Sequence, residues 1–373
     1  LVSMVEKIEI ARAFCDGGNV LSVSLFGHGN VNDTYLVTSE RAGLSSEFVL
    51  QRINKRVFKC PTALMANMHI VTEHVLEVLD NENDCSDRAW QLPRVIVAMD
   101  GKDYVVDKDG EYWRAITKIK HAHTLECIVD ASHAFEVGAV LGKFHCCVSD
   151  LPCLSLYDTL PGFHITPRYF SLLDKALSTS AGMMRLGQAV EASEVLSYLK
   201  SHQAWCSVLE EAKSRGELKE QTIHGDPKTG NIMIDDSTGK GVGIIDLDTV
   251  KAGLIHYDLG DCLRSSCNPL GEMTRDISTV DFELDYCSAV LEGYRSQIGR
   301  KLTDAERHYL YDCILLITFE QALRFFADYI AGDVYYKVCE PGLNLRRAQV
   351  QVQLCKSIES KESDIRKVIS ALA

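Results

Sequence analysis

His224-Gly225-Asp226-Pro227-Lys228-Thr229-Gly230-Asn231, followed by Ile244-Ile245-Asp246-Leu247-Asp248, is the stretch on which the reading of this chain turns. Its form is His-x-Asp-x4-Asn, with a further aspartate fifteen residues beyond Asn231. Phosphoryl transfer from ATP needs a group that receives and orients the attacking hydroxyl, and oxygen ligands that hold Mg2+ against the phosphates. A loop presenting Asp226 and, five residues on, the Asn231 amide oxygen, backed by Asp246 at a strand end, supplies both. Magnesium keeps several waters and takes substrate phosphates as ligands, so one Asp and one Asn from the protein suffice. Either half alone also fits a plain turn and a helix cap. The two halves in this order, each at a strand or loop edge, favour the chemical reading.

Working upstream, the first 120 residues read mainly as strands. Val20, Val23 and Leu25 lead into the loop Gly27-His28-Gly29-Asn30-Val31-Asn32-Asp33, and Tyr35-Leu36-Val37 returns from it. Gly27 and Gly29 would let backbone N–H groups approach phosphates where a side chain would block them. Such a hairpin is by itself an ordinary turn; its place ahead of a third strand, Phe48–Ile53, gives it weight. Pro61 opens a helix with Leu64, Met68, Val71, Val75 and Val78 on one face. Further strands are expected over Arg94–Met99 and Glu111–Ile119.

From His121 onward the texture is helical, with stretches at 132–148, 183–214, 280–297, 304–330 and 343–371. Short strands at Asn231–Ile234 and Val242–Leu247 interrupt them. The expected architecture is α+β: a small β-rich lobe over 1–120 followed by a larger helical lobe over 121–373.

Composition narrows the alternatives. The 373 residues are 46% hydrophobic and 24% charged, with a formal net charge of −13, which argues against a protein built to grip nucleic acid. Within 224–261 seven aspartates face three lysines, so much of the acidic excess gathers around the proposed base and metal ligands. The longest compact apolar run, Cys313–Phe319, is far too short to cross a bilayer, and the first residues lack the apolar core of a secretory signal. A cytoplasmic protein without an obligate protein partner is the expectation. The 14 cysteines show no Cys-x-x-Cys spacing and read as buried free thiols.

The catalytic stretch is similar to that of protein kinases and, more closely, of aminoglycoside phosphotransferases and choline kinases. That resemblance implies a two-lobed protein-kinase-like fold, with a nucleotide-binding lobe over 1–120 and a catalytic and substrate lobe over 121–373. It also implies Asp226 as catalytic base, Lys228 on the γ-phosphate, and Asn231 and Asp246 as metal ligands, with Asp248 assisting at the metal or bracing the loop. The third strand of such enzymes supplies a lysine for the phosphates. This chain has Val49-Leu50-Gln51-Arg52 instead, which leaves open whether Gln51 or Arg52 reaches them. Glu73 and Glu77 are candidate partners on the following helix, and a solvated face explains them equally well. The backbone of Ile116–Lys120, Ile119 included, is the expected crossover against adenine.

Several segments resemble the N-acetylhexosamine 1-kinase family. They include Phe26 to Tyr35, Phe48 to Asn54, Tyr112-Trp-Arg114, Leu160-Pro-Gly-Phe-His164 with Arg168, Ile245 to Asp261, and Ala322 to Ile330. In this branch the Gln-Arg pair of the third strand is familiar. The resemblance implies transfer of the ATP γ-phosphate to the anomeric hydroxyl of GlcNAc or GalNAc, with His28, Asn32, Arg324 and Tyr335 on the sugar side and Asp226 accepting the C1 hydroxyl proton. Arg324 could instead pair with Asp328 at i+4, His28 could lack ligand contact, and Tyr335 could be a core residue. A kinase of another small alcohol (homoserine, choline or an aminoglycoside) is the alternative; a cationic acceptor would call for an acidic or aromatic cage. The intact set Asp226, Lys228, Asn231 and Asp246 argues against a catalytically silent binding protein.

Overall fold

Helix α1 (Met4–Arg12) starts on a reciprocal cap, in which Ser3 accepts from the Glu6 N–H while the Glu6 carboxylate takes the Ser3 N–H. The computed structural model describes residues 3–27, 31–81 and 88–372. After α1 come β1 (Asn19–Leu25), β2 (Asp33–Arg41), β3 (Leu44–Arg52), α2 (Pro61–Asn81), β4 (Val95–Ile96), β5 (Val105–Val106) and β6 (Tyr112–Thr117). The strands form one antiparallel sheet in the order β1-β2-β3-β6-β4, with β5 also paired to β6. Alternation divides its faces. Tyr35, Val37, Phe48, Leu50, Trp113 and Ala115 pack with Ile10 and Ala11 of α1 and with Phe14 just after it on one side. Val49, Ile53 and Ile116 join the large core on the other, together with Leu64, Met68, Val71 and Val75 of α2.

The chain then runs through β7 (Ala122–His123), α3 (Ala131–Cys147), α4 (Thr166–Leu177), α5 (Ser180–Leu186), α6 (Val190–Ser201) and α7 (Val208–Ser214). Next come β8 (Gln221–Ile223), β9 (Ile232–Asp235), β10 (Gly241–Ile244), β11 (Lys251–Gly253) and α8 (Ile255–Ser266). The chain ends with α9 (Leu284–Gln297), α10 (Asp304–His308), α11 (Leu310–Ala331), α12 (Leu343–Ser360) and α13 (Glu362–Ser370). Helix α11 is buried almost all round, which its run of apolar residues requires, and α4, α8 and α12 pack around it. Together these elements make an antiparallel-sheet N-lobe and a helical C-lobe, the kinase-like α+β fold expected from the sequence.

The long helix expected over 183–214 is three pieces. The chain leaves the helix at Gly187 and again at His202, and the second and third pieces turn apolar residues such as Val195 and Leu209 inward. Helix 343–371 likewise breaks at Lys361, whose ammonium bonds Asp281 and the Phe282 carbonyl. Of the strand expected at Arg94–Met99 only Val95 and Ile96 pair. The described cysteines are all free thiols, most of them buried. Among the described residues no helix is long and apolar enough to cross a membrane.

Candidate active site

Two small sheets assemble the loop that opened the reading. Strand β8 pairs with β11, and the chain leaves β8 at Ile223 directly into His224. Strands β9 and β10 form a hairpin with Ile232 opposite Ile244, and the Ile245 N–H donates to the Asn231 carbonyl at 2.9 Å. This hairpin brings Asn231 and Asp246 to the same end despite their separation in sequence.

The loop is held from beneath by Asp258 on α8. Its carboxylate accepts the backbone N–H groups of His224 (2.7 Å) and Gly225 (2.8 Å) and lies 2.8 Å from His145 Nε2. Burial works against its charge, but these bonds and the neighbouring His145 outweigh it and hold the carboxyl below its ordinary range. His224 accepts the Asp226 N–H on Nδ1, so its proton sits on Nε2 and is donated to the Ile245 carbonyl. Burial pulls this ring's basicity down and keeps it neutral. Gly225 has φ of +90°, and a Cβ there would meet the Thr249 carbonyl at 2.7 Å, so glycine is required.

Above this base the charged groups converge. Lys228 Nζ lies 3.2 Å from the Asp226 carboxylate, and the Asn231 amide nitrogen donates to the Asp226 carbonyl at 2.7 Å and to its carboxylate at 3.2 Å. Desolvation opposes the Asp226 charge, but Lys228 outweighs it and lowers its pKa. The Lys228 ammonium is held firmly protonated by Asp226. Asp246 sits in a left-handed conformation (φ 66°, ψ 58°) and opens onto the cleft, where water still reaches it. Desolvation by the surrounding protein and the like charges of Asp248 and Asp226 push its carboxyl upward. Among the described residues no three His, Cys, Asp or Glu side chains converge to hold a metal by themselves.

The N-lobe reaches this cluster through a row of side chains. Register places Thr34, Gln51 and Arg114 side by side on β2, β3 and β6. Gln51 donates to Thr34 Oγ1 at 3.1 Å and accepts two bonds from Arg114 at 2.9 and 2.7 Å. Arg114 then forms a buried ion pair with Asp248 at 2.5 Å, and Asn32 donates to the other Asp248 oxygen at 2.6 Å. Gln51 is thus engaged with Arg114, and Arg52 is paired with Asp33 across the β2–β3 ladder. Asn32 is likewise bonded to Asp248 and to the Asn54 N–H. Glu73 pairs with Arg94 on the surface. Arg114 took no role in the sequence reading; the signal was Tyr112-Trp-Arg114, but its meaning depends on strand pairing.

Gly27 has φ of +72°, a turn that favours glycine; His28 and Gly29 lie outside the described residues. Ile119 is buried beside Met233 and Val242 at the junction of the lobes. Arg324 does not need Asp328, whose carboxylate takes the N–H groups of Val334, Tyr335 and Tyr336 and the Asn344 amide. Instead the Arg324 guanidinium lies against the rings of Phe163 (4.8 Å), Tyr169 (5.5 Å), Tyr336 (5.6 Å) and Tyr335 (6.0 Å) and donates to Gln321. Tyr335 is partly exposed, so it is a rim residue of this cluster.

Solved structures share this architecture along nearly the whole chain. A microcompartment-associated aminopropanol kinase superposes with a TM-score of 0.59 at 17% identity, covering 98% of this chain and 99% of its own. The choline kinase of Cryptosporidium parvum gives 0.61 at 11% identity, covering 99% of each chain. An aminoglycoside phosphotransferase from Alicyclobacillus acidocaldarius gives 0.60 at 12% identity and 94% of each. At these identities the likeness is one of fold. The sequence itself matches the phosphotransferase enzyme family (APH) over residues 22–293, a span that holds the loop at Asp226, the Asp246 turn and the Arg114 row. With that match covering most of its length, the chain belongs to the phosphotransferase enzyme family.

Proposed function

We propose that this phosphotransferase moves the γ-phosphoryl group of ATP to the anomeric C1 hydroxyl of an N-acetylhexosamine, GlcNAc or GalNAc. Asp226 is the base: its carboxylate is charged at neutral pH and accepts the hydroxyl proton as the oxygen attacks phosphorus. Lys228 neutralises charge on the transferring group. The donor set fits Mg2+, because Asp246 is open to the cleft and crowded by like charge, and Asn231, with its NH2 on Asp226, has its amide oxygen left as a ligand. When bound, that ion would neutralise the phosphates against Asn231 and Asp246. Gly27 shapes the loop proposed over the phosphates, and the Ile119 segment supplies backbone to adenine. With Gln51 and Arg52 engaged elsewhere, we assign to Arg114 the bracing of the Asp248 turn from the N-lobe. We place the nucleotide between a lobe of residues 1–120 and a lobe of residues 121–373.

One observation carries the choice of acceptor. The aromatic cluster of Phe163, Tyr169, Tyr335 and Tyr336, which could cage an alkylammonium, already holds Arg324. A cationic acceptor would meet a like charge there. A neutral sugar brings hydroxyl and acetamido oxygens for a guanidinium with five donors. The test is ATP consumption with GlcNAc, GalNAc, glucose, choline and aminopropanol, followed by phosphorus and proton NMR of the product. A 1-phosphate formed from an N-acetylhexosamine is expected. Turnover confined to choline or aminopropanol, or phosphate on another hydroxyl, would overturn the reading.

A further inference from the structure

His164 ends the turn Leu160-Pro-Gly-Phe-His164 in a left-handed conformation, φ +66°, uncommon for a residue with a side chain. Its ring is 3% exposed and stacks on Tyr257 with centroids 5.3 Å apart. Nε2 is 2.7 Å from the Gly225 carbonyl oxygen, and Nδ1 is 3.0 Å from Glu320 Oε1. A carbonyl and a carboxylate only accept, so both nitrogens carry protons and the ring is an imidazolium. The other Glu320 oxygen accepts from Thr166 Oγ1 at 2.7 Å. Burial opposes the charge on the ring, yet the Glu320 carboxylate outweighs it and raises the basicity of His164.

The two ends of this arrangement are the two halves of the proposed reaction. Gly225 precedes the base Asp226, and Phe163, which precedes His164, packs under Arg324. Glu320 and Arg324 stand one turn apart on α11. A buried ion pair adds little to stability over apolar packing, so stability alone does not account for it.

We propose that His164, charged and held by Glu320, is a positioning residue that fixes the Gly225 carbonyl and so aims Asp226 at the acceptor bound beside Arg324. The assignment rests on Asp226 as base and Arg324 as an acceptor contact. It concerns kcat and not nucleotide affinity, since none of these contacts touches Lys228, Asn231 or Asp246.

Two variants separate positioning from packing. His164→Gln keeps an amide donor near the Nε2 position, toward Gly225. His164→Asn keeps one near Nδ1, toward Glu320, and abandons Gly225. We expect His164→Asn to lower kcat about 10- to 100-fold with the KM for ATP unchanged, and His164→Gln to stay within about threefold of the parent. Parent-like kcat in His164→Asn, or equal losses in both variants, overturns the proposal. Should either be too unstable to assay, Thr166→Val, which removes only the hydroxyl bond to Glu320, decides. A severalfold lower kcat at constant KM for ATP supports positioning, and an unchanged kcat overturns it. Asp226→Asn, measured alongside, keeps the failures distinct: if that variant turns over normally, the base assignment is at fault.

Discussion

Asp226 illustrates how neighbours set the state of one carboxylate. Its surroundings desolvate it, which by itself would favour the neutral acid, but Lys228 at 3.2 Å favours the ionised form. Asp226→Asn preserves shape and the bond from Asn231 while removing the proposed base. Its kcat is expected to fall about 10²- to 10⁴-fold, with ATP affinity by calorimetry changed less than about threefold. Undiminished turnover would show that another group takes the proton. Asp226, Lys228, Asn231 and Asp246 were all legible in sequence because their spacing along one loop and one hairpin is local. Asn32 was named for the sugar side, but its bond to Asp248 was not legible, because the two lie 216 residues apart.

At the scale of elements, the loop at Asp226 depends on how closely α3 and α9 pack. Ideal Cβ atoms on Gly138 and Gly142 would lie 1.9 and 2.4 Å from the Val290 and Tyr294 carbonyl oxygens of α9. Gly293 of α9 would in turn clash with the Phe135 carbonyl at 2.0 Å. That close approach lets His145 of α3 bridge Tyr294 of α9 and Asp258 beneath the loop. Gly138→Ala therefore carries a sign that discriminates. Alanine in an open helix would stabilise by about 1 kcal/mol. Against a backbone oxygen it should instead destabilise by about 1–3 kcal/mol, read as a lower midpoint in urea unfolding. The helices themselves were readable from their apolar stripes. Which glycines touch a facing backbone was not, because a glycine on a helix face has the same local pattern whether it meets solvent or a neighbour.

For the whole molecule, the two lobes are tied by a buried charge. Arg114 from the sheet and Asp248 from the loop after β10 are 1% and 3% exposed, and Asn32 completes the contact. Arg114→Met would leave the Asp248 carboxylate buried without its cation. We expect a loss of about 3–5 kcal/mol in chemical unfolding, partly recovered when Asp248→Asn is added. Near-parent stability in Arg114→Met would mean that the lobes are held together by apolar packing alone.

The sequence by itself determined the succession of a β-rich part and a helical part, the kinase-like fold, and the loop in which Asp226, Lys228, Asn231 and Asp246 sit, because hydrophobic period and short spacing are local properties of the chain. Tertiary structure alone decided which cation faces the Asp246–Asp248 turn. Gln51 and Arg52 stand where a lysine was sought, and only the register of β3 on β6 shows that Gln51 accepts from Arg114, whose guanidinium pairs with Asp248. It also decided that Arg324 lies among aromatic rings instead of beside Asp328, and that His164 reaches Gly225. Such contacts depend on strand register and helix crossing, which are set by the packing of the whole core and leave no mark in the spacing of neighbouring residues.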